Sequence, residues 1–368
     1  MLKEIKSIPW QQPCFWGNEE EYVADSVRST WISDGKYIKE FEREFAEKIS
    51  AKNVLTVSNG TTALHLANLV LELGEGDEVI VPGFGFVAPI NMVLAVGATP
   101  VYADIDKDTW CIDPKSVEQC ITPKTKAVIT VHTYGNVCDM NSIMEIAKLH
   151  NLYVIEDTAE ALFSRYDGKM AGTIGDIGCF SFQATKTITM GEGGAVYIQD
   201  SNLVAKAQQL KSHGMKPGKR YWHEVIAYNF RLTNMQAAMG CAQLEAADKI
   251  IVSRKKVFDL YRRELEMFEG VKLQKFDPEV DPVVWAIAIQ IDEKRFDCDR
   301  DGIINLLGET GIETRPGFYD CATLPLYGAK NIPVSQKISS SILSLPSSPD
   351  LTEEKIVYIC NELKKLKV

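Results

Sequence analysis

Between about residues 53 and 210, short apolar runs alternate with stretches that are apolar at helical spacing. The runs VLTV (54–57), EVIVP (78–82), TPVYADI (99–105), AVITV (127–131) and LYVIED (152–157) read as strands. The intervening TTALHLANLVLEL, APINMVLAV, PKSVEQCI and MNSIMEIAKLH read as helices. Strands separated by helices need crossover connections, so the pattern predicts an α/β fold: a mostly parallel sheet with helices on its faces. From about residue 235 the pattern changes. One long helical stretch, NMQAAMGCAQLEAADKIIVSRKKVFDLYRRELEMF, leads to VVWAIAIQI and to a C-terminal helix in LTEEKIVYICNELKKL. The expected organisation is a large α/β domain over residues 1–240, including an N-terminal segment, and a smaller α+β domain over 241–368. The sequence carries no internal repeat and no low-complexity segment.

Composition excludes some functions. A net charge of −10 with no basic face argues against a nucleic-acid binder, though a few local donors can still hold an anionic ligand. Nine cysteines, scattered with no C-x-x-C pair, suit reduced thiols in a cytoplasm rather than a disulfide framework or a zinc site. The opening MLKEIKSIPW is charged early and lacks the apolar core of a signal peptide. No run approaches the ~18 apolar residues of a membrane span. A soluble, cytoplasmic protein without membrane contact is expected. The histidines have no metal-ligand spacing, and His65 on an apolar helix face reads as a core residue.

Three short stretches could carry chemistry. In SNGTTALHLA (58–67), Gly60, Thr61 and Thr62 fall at a helix N-terminus after a strand, where free N–H groups, hydroxyls and the helix dipole can cradle a phosphate. A plain helix cap is the competing reading. In IEDTAEA (155–161), Asp157 lies just past the carboxyl end of a strand, where open α/β sheets place ligand-binding groups. A buried carboxylate there needs a cationic partner such as a pyridinium nitrogen, unless it is an ordinary N-cap. In SFQATKTITMGEGG (181–194), Lys186 sits between a β-like segment and a glycine-rich turn, with Ser181 offering a further hydroxyl. A lysine that forms an imine must first lose its proton, which desolvation promotes; most lone lysines are simply solvated. Together, the cradle, the acid and the lysine are the parts a pyridoxal phosphate enzyme must supply.

With those residues in place, the chain resembles the DegT-like sugar-nucleotide aminotransferases of fold type I. The resemblance runs through WISDGKYIKEFE (31–42), SNGTTALHLA, GDEVIVPGFGFVA (76–88), GATPVYADID (97–106), HTYGNVCDM (132–140), EDTAEA, GDIGCFSFQATKTITMGEGG, YNFRLTNMQAAMGCAQLE (228–245), ETRPGFY (313–319) and LPSSPDLT (345–352). It implies that Lys186 holds the cofactor covalently and moves the reacting proton, while Asp157 pairs with the pyridinium nitrogen. Phe86 would stack on the ring, with Glu160 nearby. Gly60, Thr61, Thr62 and Ser181 would bind the phosphate, and Asn229 would reach the phosphate of a neighbouring subunit's cofactor across a homodimer interface. Arg231 and Arg315 are candidates for anionic parts of substrates, or for structural salt bridges.

Within the family, SFxxxKTITxGEGG and KRYWHEVIxYNxRLTN most resemble members that aminate C4 of GDP-4-keto-6-deoxymannose. The implied reaction takes nitrogen from L-glutamate, through the pyridoxamine form of the cofactor, to a nucleotide-linked 4-keto-6-deoxy sugar. The alternatives are another keto substrate (a UDP- or dTDP-linked sugar, a cyclitol, a small phosphorylated ketone) and a catalytically silent regulatory member. Relatives with histidine in place of the lysine dehydrate their substrates; Lys186 favours transamination. PGFYDCATLPLY, after Arg315, departs from the family's usual pattern beside the substrate pocket. His213 and His223 are minor candidates for lining the nucleotide site.

Overall fold

Each of the five expected runs forms a strand; four are almost wholly buried, while Thr99–Ala103, at the sheet edge, buries only Ala103 fully. A computed structural model describes residues 7–216 and 218–368; the charged opening MLKEIK lies outside them. The main sheet has seven strands in the order Val54–Val57, Gly194–Ile198, Ile177–Ser181, Tyr153–Asp157, Thr125–Val131, Glu78–Pro82, Thr99–Ala103. The five strands from Ile177–Ser181 to Thr99–Ala103 pair in parallel. Gly194–Ile198 runs antiparallel to both of its neighbours. That strand and Ile177–Ser181 were not among the expected runs. Two apolar layers, one around Leu64, Val81 and Ile129 and one around Ile80, Val128 and Val154, cover the two faces.

Side-chain caps fix where the helices begin. Asn59, Asp113, Asp139, Asp200, Thr233, Asp299 and Thr352 each accept a backbone N–H in the first turn of the helix that follows. The expected single helix over 234–268 is two helices, Asn234–Glu245 and Ala247–Leu265, joined at Ala246. The first packs on the N-terminal helices Glu19–Arg28 and Lys36–Lys48, the second on the C-terminal helix Glu353–Lys365. The 240/241 division expected from the sequence thus falls inside a helix that packs with the large unit.

The smaller unit is a four-stranded antiparallel sheet in the order Val271–Leu273, Ile287–Ile291, Ile342–Leu345, Arg315–Pro316. Its core, around Tyr261, Ile289, Ile303, Leu343 and Ile359, also takes in Ile8 from the N-terminal segment. Polar ties join the units near the carboxyl ends of the main strands. The carboxylate of Asp104 accepts the N–H groups of Val334 and Ser335, at the start of the helix Pro333–Ser341, at 2.9 and 2.8 Å. The N–H of Trp285 donates to the carbonyl of Tyr134 at 3.0 Å.

Candidate active site

The site forms where strand ends, one helix N-terminus and the turn after Ile177–Ser181 converge. Asn59 caps the helix Gly60–Val70 through a capping box: its side chain accepts the N–H of Thr62 at 2.8 Å, and its own N–H donates to the Thr62 hydroxyl at 3.1 Å. Thr62 thus commits both its N–H and its hydroxyl to the cap. The N–H groups of Gly60 and Thr61 and the Thr61 hydroxyl are the donors left for an anion. A Cβ at Gly60 would lie 2.8 Å from Cβ of Ser181, so glycine is what lets the Ser181 hydroxyl approach the same helix start. Gly194, paired with Ser181 across the sheet, likewise admits the backbone of Asn59, which a Cβ would meet at 2.5 Å.

Asp157 ends its strand, buried, with Oδ1 accepting the N–H of Ala159 at 3.0 Å. Burial raises its carboxyl pKa, against the pull of that N–H, of Lys186 and of His132. On the opposite face of the strand, Glu156 is held by four donors. The N–H groups of Gly172, Ile174 and Gly175 reach it at 2.9, 2.7 and 2.6 Å, and His132 Nε2 at 2.9 Å. His132 Nδ1 accepts the N–H of Cys138 at 3.2 Å, which leaves its proton on Nε2 to donate to Glu156. This network pins the loop that leads into Ile177–Ser181, and with it the position of Ser181.

Lys186 rides on a turn closed by its own N–H to the carbonyl of Gln183 (2.8 Å) and stiffened by the Gln183 side chain, which accepts the N–H and hydroxyl of Thr185. Its Nζ lies 3.8 Å from the centre of the Trp285 ring and 4.0 Å from Glu160 Oε1, and the side chain is only 14% exposed. Burial lowers the amine's pKa, Glu160 and Asp157 oppose that, and Arg254 adds to it. Glu160, buried and accepting the N–H of Tyr134 at 2.9 Å, is pushed by burial up to about 7. The amine therefore stands over an aromatic face, between two carboxyls that burial discourages from ionising.

Among the other expected residues, Phe86, Asn229, Arg231 and Arg315 lie at the surface. Phe86 is exposed, its ring edge-on to Phe318 with centroids 6.1 Å apart. Asn229 and Arg231 are exposed and bonded to each other, Arg231 Nε donating to Asn229 Oδ1 at 3.0 Å. Phe230, between them, accepts the N–H of Ser58 at 2.8 Å, which sets this segment beside the cradle. Arg315 forms an ion pair with Glu313 on the edge of the small sheet. His65 packs against Tyr228 and Phe230. Sequence reasoning missed Trp285 and Arg254. Trp285 had a visible signal, a tryptophan in the aliphatic run VVWAIAIQI; Arg254 had none beyond being a cation within a helical pattern.

These residues fit pyridoxal phosphate: a helix N-terminus with free donors for the phosphate, a buried carboxylate with one oxygen unbonded among the described residues, and a desolvated amine. A mostly parallel sheet presenting that set fits a pyridoxal phosphate-dependent enzyme of fold type I. The comparisons with known proteins place it further: the chain belongs to the DegT/DnrJ/EryC1/StrS aminotransferase family, whose profile matches residues 13–364. It is 44% identical to the GDP-perosamine synthase of Escherichia coli O157:H7 over 98% of this chain and 99% of that protein. To the GDP-perosamine synthase of Vibrio cholerae it is 43% identical, over 97% and 98%. Among solved structures, the PLP form of a Streptococcus pneumoniae protein superposes with a TM-score of 0.92 at 29% identity, covering 98% of each chain. No helix among the described residues is long and apolar enough to cross a membrane.

Proposed function

We propose that this aminotransferase converts a GDP-linked 4-keto-6-deoxy sugar, GDP-4-keto-6-deoxymannose, to GDP-perosamine, with L-glutamate as amino donor. The observation that carries the reading is identity above 40%, over nearly the whole of both chains, to two proteins named GDP-perosamine synthase. Pyridoxal phosphate would be the resident cofactor, and the protein works in the cytoplasm as a homodimer with Asn229 reaching the neighbouring subunit's site. Bound pyridoxal phosphate supplies an electron sink that makes the donor's α-proton removable.

The chain's own residues do the rest. The Gly60 and Thr61 N–H groups, the Thr61 hydroxyl and Ser181 hold the phosphate at the positive end of the helix Gly60–Val70. Asp157 would keep a proton on the pyridine nitrogen of the bound cofactor. Burial lets Lys186 be neutral at working pH, first to attach the cofactor and then, once displaced, to carry a proton between adjacent atoms. Glu160 and the Trp285 face keep the amine in place and exclude water. Phe86 would cover one ring face, and Arg231 and Arg315 would meet the substrate's anionic parts.

The test is to incubate the purified protein with pyridoxal phosphate, L-glutamate and a panel of GDP-, UDP- and dTDP-linked keto sugars, following the products by mass. The reading expects amination of GDP-4-keto-6-deoxymannose ahead of the others. Preference for another nucleotide or a non-nucleotide ketone overturns the substrate. Lys186→Ala should lose both the visible absorbance of the bound cofactor and turnover, and retained turnover overturns the assigned role.

A further inference from the structure

Arg254, on the helix Ala247–Leu265, is 3% exposed and has no ion pair among the described residues. Its guanidinium bonds only to carbonyls: Nη1 donates to Trp285 at 2.9 Å and Ser347 at 3.4 Å, and Nη2 to Lys186 at 3.4 Å, while Nε is buried without a partner. A buried cation without a counter-charge is costly, and an apolar side chain of similar size could fill the same space. Burial brings its pKa down only to about 10, so the charge persists at neutral pH. The two residues it reaches closest to the site are the ones that place the reacting amine. Lys186 carries that amine, and Trp285 lies beneath it, its own Nε1 donating to the carbonyl of Thr185 at 2.7 Å.

We infer that Arg254 is a positioning residue for Lys186: one guanidinium grips the carbonyls of Lys186 and Trp285, keeps amine and indole face in register, and leaves positive charge behind the amine. The planar fork suits two carbonyls from separate segments better than a single ammonium does. The uncompensated charge acts in the same direction as desolvation, favouring the neutral amine. This inference rests on the role proposed above for Lys186.

The experiment follows uptake of pyridoxal phosphate by cofactor-free protein, read as visible absorbance across pH, in Arg254→Gln, Arg254→Lys and Lys186→Ala, with melting temperatures alongside. Arg254→Lys retains the charge and most of the stem, so it supplies a variant suited to fold. Both arginine variants should take up cofactor about tenfold more slowly at their own optimum, since small misplacements of a reacting group are costly. In Arg254→Gln, but not Arg254→Lys, the midpoint of the pH profile should also rise by about one unit. Wild-type rates and an unmoved midpoint in both, with only the melting temperature lowered, overturn the inference. Should Lys186→Ala alone lose uptake, the lysine's role stands and the inference about Arg254 falls; should Lys186→Ala take up cofactor normally, the role itself fails.

Discussion

Gly135 packs directly against the backbone of Val283, Val284 and Trp285, and replacing it with alanine tests whether that contact sets the active site. Its φ is +109°, and a Cβ there would stand 2.5 Å from the carbonyl oxygen of Val283, 2.6 Å from Cα of Val284 and 2.9 Å from the nitrogen of Trp285. All three are backbone atoms, so no side chain can swing aside. The left-handed conformation costs an L-residue about 1–2 kcal/mol, and forcing a methyl into packed backbone adds about 1–3 kcal/mol. Gly135→Ala should therefore lose roughly 2–5 kcal/mol in total. Gly76 supplies the control, with a φ of +93° and nothing within 4 Å of its would-be Cβ, so Gly76→Ala carries the conformational cost alone. Urea midpoints of the two variants isolate the packing cost. The carbonyl of Val283 must retreat by about half an ångström just to reach 3.0 Å, and Trp285 lies two residues further on. Cofactor affinity in Gly135→Ala should drop about tenfold, while Gly76→Ala binds normally. Equal losses of stability at both positions, or unchanged cofactor affinity in Gly135→Ala, would refute the reasoning.

Two further outcomes follow from the site. Burial lifts Glu160 from an ordinary 4.5 to about 7, so the folded protein holds that proton more tightly than the unfolded chain. Its contribution to stability is whole below pH 4.5 and is lost as pH rises through 7. Glu160→Gln escapes the loss, so its stability relative to the native protein should improve by up to about 3 kcal/mol between pH 5 and pH 8; urea midpoints at both pH values check this, and a gap that moves the other way contradicts it. Asn59→Ala removes the acceptor for the Thr62 N–H and should cost about 1 kcal/mol. Because the same cap orients the free donors, the variant should also lose most of the rise in melting temperature that inorganic phosphate gives the cofactor-free protein; an unchanged rise would put the anion elsewhere.

Much of the fold was legible because its strands are bounded by sharp changes of period. EVIVP and VLTV are apolar on both faces and end in turn residues, so their limits coincide with the observed Glu78–Pro82 and Val54–Val57. The break at Ala246 was not legible, since no glycine or proline marks it; it arises because two consecutive helices pack against different partners. Gly194–Ile198 was hidden by its glycine-rich approach, which read as turn. In the site, Gly60, Asp157, Ser181 and Lys186 could be picked out because each sits at an element boundary with a local signature. Trp285 and Arg254 could not, because what matters about them is contact with a residue 99 and 68 positions away. The Thr62 hydroxyl misled for the opposite reason: a threonine at a helix start looks the same in sequence whether it faces a ligand or closes the cap.

The turn bearing Lys186 has both ends fastened in neighbouring strands of one sheet. Ser181 pairs with Gly194, the N–H of Phe182 reaches the carbonyl of Gly193, and the N–H of Met190 returns to the carbonyl of Phe182. The amine is therefore carried on a closed loop of set length, not on a free arm. Adding or deleting a single residue between those anchors would turn the lysine away from Trp285 and Glu160 even with every surrounding side chain intact. In this part of the chain the count of residues fixes the place of the amine as much as their identity does.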